Sequence, residues 1–167
     1  MPFTPFHLGP ALLFGLAFLS VFDLPTLLLA SVISDIEPFC VVFFNVTGYP
    51  LHGFFHSYLG ASILAFLALL IVYPFRHMLN RITEAFSIPQ KQSLKKTLFT
   101  SFVGVYSHVL LDSFLYIEMM PFYPLQGNPF IHVLSSFGSY EVIYGFCGIA
   151  FILSVLLYVC RLMLAKK

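Results

Sequence analysis

From Tyr140 to Leu164 the chain is almost wholly apolar, with Glu141 and Arg161 as its only charged residues. A helix needs about 20 such residues to cross the hydrocarbon core of a bilayer. Further apolar runs lie upstream, at Leu8 to Phe22, Thr26 to Ile33, Pro50 to Phe75 and Leu94 to Ile117. Of the 167 residues, 59% are hydrophobic and 9% are charged. A soluble domain carries roughly 25% charged residues, so too little polar surface is present to keep this chain in water. The expected fold is an all-α, polytopic membrane bundle of about five helices, the first two short, with residues 1–167 forming a single integral membrane domain.

Local signals divide the runs. Asp23 and Pro25 mark a helix start. The second run ends near Asp35, before Pro38. A third helix is expected from about Pro50 and a fourth from about Leu94. Between them lies a polar segment, Arg76 to Lys96. A loop rich in proline, glycine and aromatic residues covers Glu118 to Ser139 and precedes the fifth helix. The segment MPFTPFH lacks the basic region of a signal peptide, so the first apolar run is expected to stay in the mature protein. Cys40, Cys147 and Cys160 are widely spaced in apolar runs and read as small hydrophobes. A net charge of +1 without a basic stripe argues against nucleic-acid partners. The expected partner is the lipid bilayer.

The basic residues set an orientation. Arg76, Arg81, Lys91, Lys95 and Lys96 fall between helices three and four, and Arg161, Lys166 and Lys167 fall at the end of helix five. With about five passes, these places lie on one side, which the positive-inside rule makes cytoplasmic. The chain is thus expected in the cell membrane, its N-terminus outside and its C-terminus in the cytoplasm.

The same topology gathers histidines and carboxylates at the other side. His7 precedes helix one, Asp35 and Glu37 end helix two, and His52 and His56 begin helix three. His108 and Asp112 lie in the outer half of helix four. Each of the last two pairs is spaced i, i+4, so on a helix each pair shares a face. Ionisable groups within a membrane are costly and usually functional. Imidazole nitrogen with carboxylate oxygen suits zinc, and also manganese or iron. The plainer alternative for His108 and Asp112 is a hydrogen-bonded pair that fixes helix packing. His77, Glu84 and His132 read as solvated.

These motifs resemble those of the YdjM-like membrane-bound metal-dependent hydrolases, a group that includes LexA-binding, inner-membrane-associated hydrolases. The resemblance rests on Met1-Pro2-Phe3-Thr4-Pro5-Phe6-His7, Ser34-Asp35-Ile36-Glu37-Pro38, His52-Gly53-Phe54-Phe55-His56-Ser57, Ser107-His108-Val109-Leu110-Leu111-Asp112 and Pro121-Phe122-Tyr123-Pro124-Leu125. It implies metal ligands at His7, Asp35, Glu37, His52, His56, His108 and Asp112. Glu37 stands where the family often has aspartate, and Gly53 where it often has arginine. A Met-Pro-Phe-Tyr-Pro-Leu-Gln-Gly-Asn-Pro turn replaces a Thr-Pro-x-Gly form.

The function expected is hydrolysis of a lipid or other membrane-proximal ester, phosphoester or amide by a metal-activated water. The donors suffice for one divalent ion, zinc first, or two. Glu37 is the candidate general base or a further ligand. Two other classes fit less well. One is a metal-stapled structural or assembly protein, and the other is a metal or proton transporter.

Overall fold

The computed structural model describes residues 5–91 and 93–165. Met1 to Thr4 of the first motif, and Lys166 and Lys167, lie outside the described residues. All described elements are helical, and they form five stretches. The first is α1 (Pro5–Ala17). It starts before the expected Leu8, which puts Pro10 inside the helix, where it removes one backbone hydrogen bond. It also stops short of Phe22. Turns follow, in which the Phe18 carbonyl accepts from the Val21 and Phe22 amides.

The second stretch joins α2 (Leu24–Ala30), a 3-10 turn over Ile33–Asp35 and α3 (Ile36–Phe43). As regular α-helix it is short, as expected, yet the helical path continues past Pro38. That proline sits in the first turn of α3, where a missing N–H has no intrahelical partner to lose. The third stretch joins α4 (Tyr58–Val72), a 3-10 turn at Tyr73–Phe75 and α5 (Arg76–Ala85). The segment read as polar is therefore helical at its start. His77 and Glu84 are exposed, as expected, but on a helix. The remaining helices are α6 (Leu94–Ser113) and α7 (Ser139–Ala165).

Among the described residues, three stretches are long and apolar enough to cross a membrane: Leu24–Phe43, Tyr58–Ala85 and Ser139–Leu164. Phe146, Ile149, Ile152 and Leu156 of α7 lie on the exterior, which for a membrane-embedded helix is its lipid-facing surface.

α6 is the helix around which the site is built. Val105 and Val109 pack against Ala61, Ala65 and Ala68 of α4 and Ala30 of α2, all fully buried. Small side chains let helix axes approach closely where lipid, not water, is the surrounding solvent. Gly104 carries this furthest, since a Cβ there would overlap Ala30. Gly9 does the same between α1 and the Cys147 carbonyl of α7. The first contact seats α2 on α6, and the second seats α1 on α7.

Third-helix boundaries differ from the sequence expectation with consequence. α4 begins only at Tyr58, capped by Ser57, whose Oγ accepts from the Gly60 amide at 3.0 Å. His52 and His56 thus lie in a bend and a 3-10 turn, not on a regular helix. The i, i+4 rule does not apply to them, and their rings go to different neighbours.

Candidate metal centre

His108 and Asp112, one turn apart on α6, are buried at the centre of the bundle. Asp35, from the turn after α2, and His56, from the turn before α4, meet them there. One ligand atom from each of these four residues lies within 4.8 Å of the others. His108 Nε2 is 3.3 Å from Asp112 Oδ2, 3.7 Å from Asp35 Oδ1 and 3.3 Å from His56 Nε2. His56 Nε2 is 3.7 Å from Asp112 Oδ2. His7 approaches from α1, its Nε2 3.0 Å from Asp112 Oδ1 and its ring 4.1 Å from that of His108.

The outer nitrogens explain how the inner ones are aimed. His108 Nδ1 donates to the Ser31 carbonyl at 2.8 Å. That carbonyl sits beside α6 because Gly104 lets α2 come close, with Ser31 N 3.2 Å from where a Cβ would be. His56 Nδ1 donates to Glu37 Oε2 at 2.8 Å. A carbonyl and a carboxylate only accept, so in each neutral ring Nδ1 keeps the proton and Nε2 presents a lone pair. Burial lowers the His56 pKa, opposed by its bond to Glu37, which favours the neutral, ligating form. With both rings neutral, as cation binding would require, two lone pairs and two carboxylates would face one small space. His7 Nδ1, Asp35 Oδ2 and Ser34 Oγ, all buried, also have no hydrogen-bond partner. The donor set is one that a divalent cation fits.

Glu37 stands one layer behind. Its Oε1 accepts from the Tyr49 hydroxyl at 2.7 Å and the Phe55 amide at 3.1 Å, and its Oε2 from the Gly53 amide at 3.0 Å and from His56. Burial and the bond to Glu37 push the Tyr49 phenol up, so it stays a donor. A side chain at Gly53 would overlap the Tyr49 ring, which gives a local reason for glycine in this motif. His52 also stands apart from the four. Its Nδ1 is 2.9 Å from Glu118 Oε1, and its ring stacks on Tyr116 at 3.7 Å. It touches the group only edge to face, through the His56 ring at 4.8 Å.

Sequence reasoning placed no role on Ser31, Tyr49, Tyr116 or Glu118. Glu118 pairs with His52 across 66 positions, and no spacing rule reaches that far. Asn128 was equally silent. Its side-chain amide donates to the Ser113 and Tyr116 carbonyls at 2.7 and 2.8 Å, closing the end of α6 next to Asp112. His132 is exposed.

One space lies beyond His52 and another beside Asp112. A cavity of about 370 Å³ is bounded by His52, Glu118, Tyr49, Phe54 and Tyr123. A cleft of about 10 Å³ beside His7 and Asp112 is closed by Phe6, Ile143 and Tyr144.

Fold and cluster together define a helical membrane protein with a candidate metal centre inside its bundle. A family model described as YdjM inner membrane protein matches residues 1–167, the whole chain. The chain belongs to that family. No curated protein and no solved structure matches it.

Proposed function

We propose that this protein is a metal-dependent hydrolase of the membrane, acting on a lipid or another membrane-proximal ester, phosphoester or amide. What carries the reading is the convergence of His56 Nε2 and His108 Nε2, 3.3 Å apart, on the carboxylates of Asp35 and Asp112. Every ion pair of these carboxylates among the described residues is with a histidine. Lysine or arginine therefore does not neutralise them, and a divalent cation can. Asp35, His56, His108 and Asp112 are the candidate donors, with His7 beside them; a catalytic zinc would take three of these and keep one position for water.

A cation in such a site acts as a Lewis acid and brings the pKa of a coordinated water to about 7. The chain's own residues do the rest. Ser31 and Glu37 orient the two rings, so Glu37 is proposed as a positioning residue. Its lone pairs are engaged by four donors. The His52–Glu118 pair forms the wall of the neighbouring cavity, which would take the polar part of a substrate. The site would open to the outer leaflet.

The test is elemental analysis of purified protein in detergent, followed by lipid mass spectrometry of reconstituted vesicles. At least one zinc, manganese or iron per chain is expected, with metal-dependent release of a lipid fragment. His108→Ala and Asp112→Asn should each lose the metal and the activity. If the two residues form only a packing hydrogen bond, Asp112→Asn should be mild, since an amide oxygen still accepts. Such bonds between membrane helices average about 0.6 kcal/mol. Full metal content in both variants, or none in the parent protein, would sink the proposal.

A further inference from the structure

A second, larger space lies along the same seam of helices. It is a groove of about 440 Å³ between α1 and α6, closed at its sides by α2 and α7. Its walls include Pro10, Phe14 and Phe18 of α1 and Val103, Leu110 and Leu111 of α6. Ser107 is the one polar side chain lining it, and its hydroxyl is turned back onto the Gly104 carbonyl at 2.8 Å. The groove therefore offers no free hydrogen-bond donor among its lining side chains, whereas its size lies in the range of small-molecule sites.

The groove starts one helical turn or less along the chain from residues of the candidate metal centre, although none of those residues lines it. Pro10 and Ala11 are one turn from His7, and Leu111 precedes Asp112. Phe146 of α7 is one residue from Cys147, which lines the cleft over His7 and Asp112. Groove and cleft share no lining residue, but α1, α6 and α7 contribute to both. From Leu111 to Val103 the groove follows α6 for roughly 12 Å away from the centre. A membrane helix bundle exposes such a furrow to acyl chains, the only apolar, flexible rods that surround it.

We propose that this groove docks one acyl chain of a membrane lipid, methyl end towards Phe18 and Val103, with its carbonyl end towards the His7–Asp112 side of the candidate metal centre. This makes the substrate class a long-chain acyl lipid cleaved near its head end. The acyl-docking half stands on the groove alone, and the cleavage half rests on the hydrolase reading above.

The experiment uses the full chain in vesicles of phosphatidylethanolamine and phosphatidylglycerol. The vesicles are doped with phosphatidylglycerol carrying a diazirine either at the end of one acyl chain or close to its carbonyl. After irradiation, adducts are mapped by peptide mass spectrometry. The expected pattern is polar along the groove. The terminal label should mark Phe14, Phe18 and Val103, and the near-carbonyl label should mark Pro10, Leu110 and Leu111. Val103→Trp, which fills the far end, should lower groove adducts about tenfold, the effect of losing roughly two buried methylenes, with metal content unchanged. Labels spread evenly over the outward face of α7 would mean surrounding lipid only and would overturn the proposal. So would cross-links showing a second copy of the chain seated in the groove. The parent protein's map decides the matter even if the tryptophan variant fails to fold. An ordered map in metal-free protein would retain the lipid site while ending the hydrolase reading. Bound metal without an ordered map would do the reverse.

Discussion

The proposed metal centre depends on atoms that do not touch the metal position. Glu37 receives four hydrogen bonds, two on each oxygen. A glutamine there has one acceptor oxygen and one donor nitrogen. Glu37→Gln therefore leaves one pair of donors facing an NH₂, either Tyr49 with Phe55 or Gly53 with His56. Outer partners of ligating histidines are worth about 10–100-fold in metal affinity. That loss is expected for Glu37→Gln in chelator competition, with the metal still bound at saturation. Unchanged affinity would remove Glu37 from the site. His52→Ala is the contrast. Its Nδ1 faces Glu118 rather than the four converging residues, so metal affinity should stay near that of the parent protein while turnover falls. A large loss of metal would instead return His52 to the ligand set implied by the family resemblance.

At the scale of elements, the α2–α6 crossing turns helix packing into ligand geometry. Gly104 contributes no side chain to the four converging residues, but its missing side chain admits Ala30 and Ser31. Gly104→Val forces α2 outward, and overpacking of this kind costs about 1–3 kcal/mol. It should also draw the Ser31 carbonyl away from His108 and weaken metal binding. Gly145→Val serves as the control, because nothing lies within 4 Å of a Cβ there. The expected result is lower thermal stability and lower metal affinity for Gly104→Val only. Equal behaviour of the two would detach the crossing from the site.

This crossing also shows what was legible beforehand. The pair His108 and Asp112 could be read from spacing because both lie on one uninterrupted helix. His52 and His56 could not, because Ser57 starts α4 after them and leaves them in a bend. The helical runs were visible as hydropathy. The extension past Pro38 was hidden, since a proline reads as a stop until its place in the first turn is known. Glu37's neighbours come from a loop, Tyr49 to Phe55, whose path is set by tertiary contacts rather than by periodicity.

Over the whole molecule, charge and candidate site are separated along α6. Lys96, near its start, donates from Nζ to the Leu19 carbonyl. Asp112, near its end, lies 16 residues on, which at 1.5 Å per residue is about 24 Å. That distance approaches the roughly 30 Å hydrocarbon thickness. α5 carries Arg76 and Arg81, and the positive-inside rule assigns such a helix to the cytoplasm. On that assignment the proposed site is expected to face the opposite compartment. The test replaces Cys40, Cys147 and Cys160 with alanine and introduces one reporter cysteine at a time. Gln126→Cys is preferable to Gly127→Cys, because Gly127 has φ 93°, a conformation that favours glycine. In intact cells stripped of any outer barrier, a membrane-impermeant maleimide should label Gln126→Cys. Glu84→Cys, exposed on α5, should react only after the membrane is opened. The reverse pattern would turn the molecule over. The cleft at His7 and the cavity at His52 would then meet cytoplasmic substrates, and the acyl groove would draw its lipid from the inner leaflet.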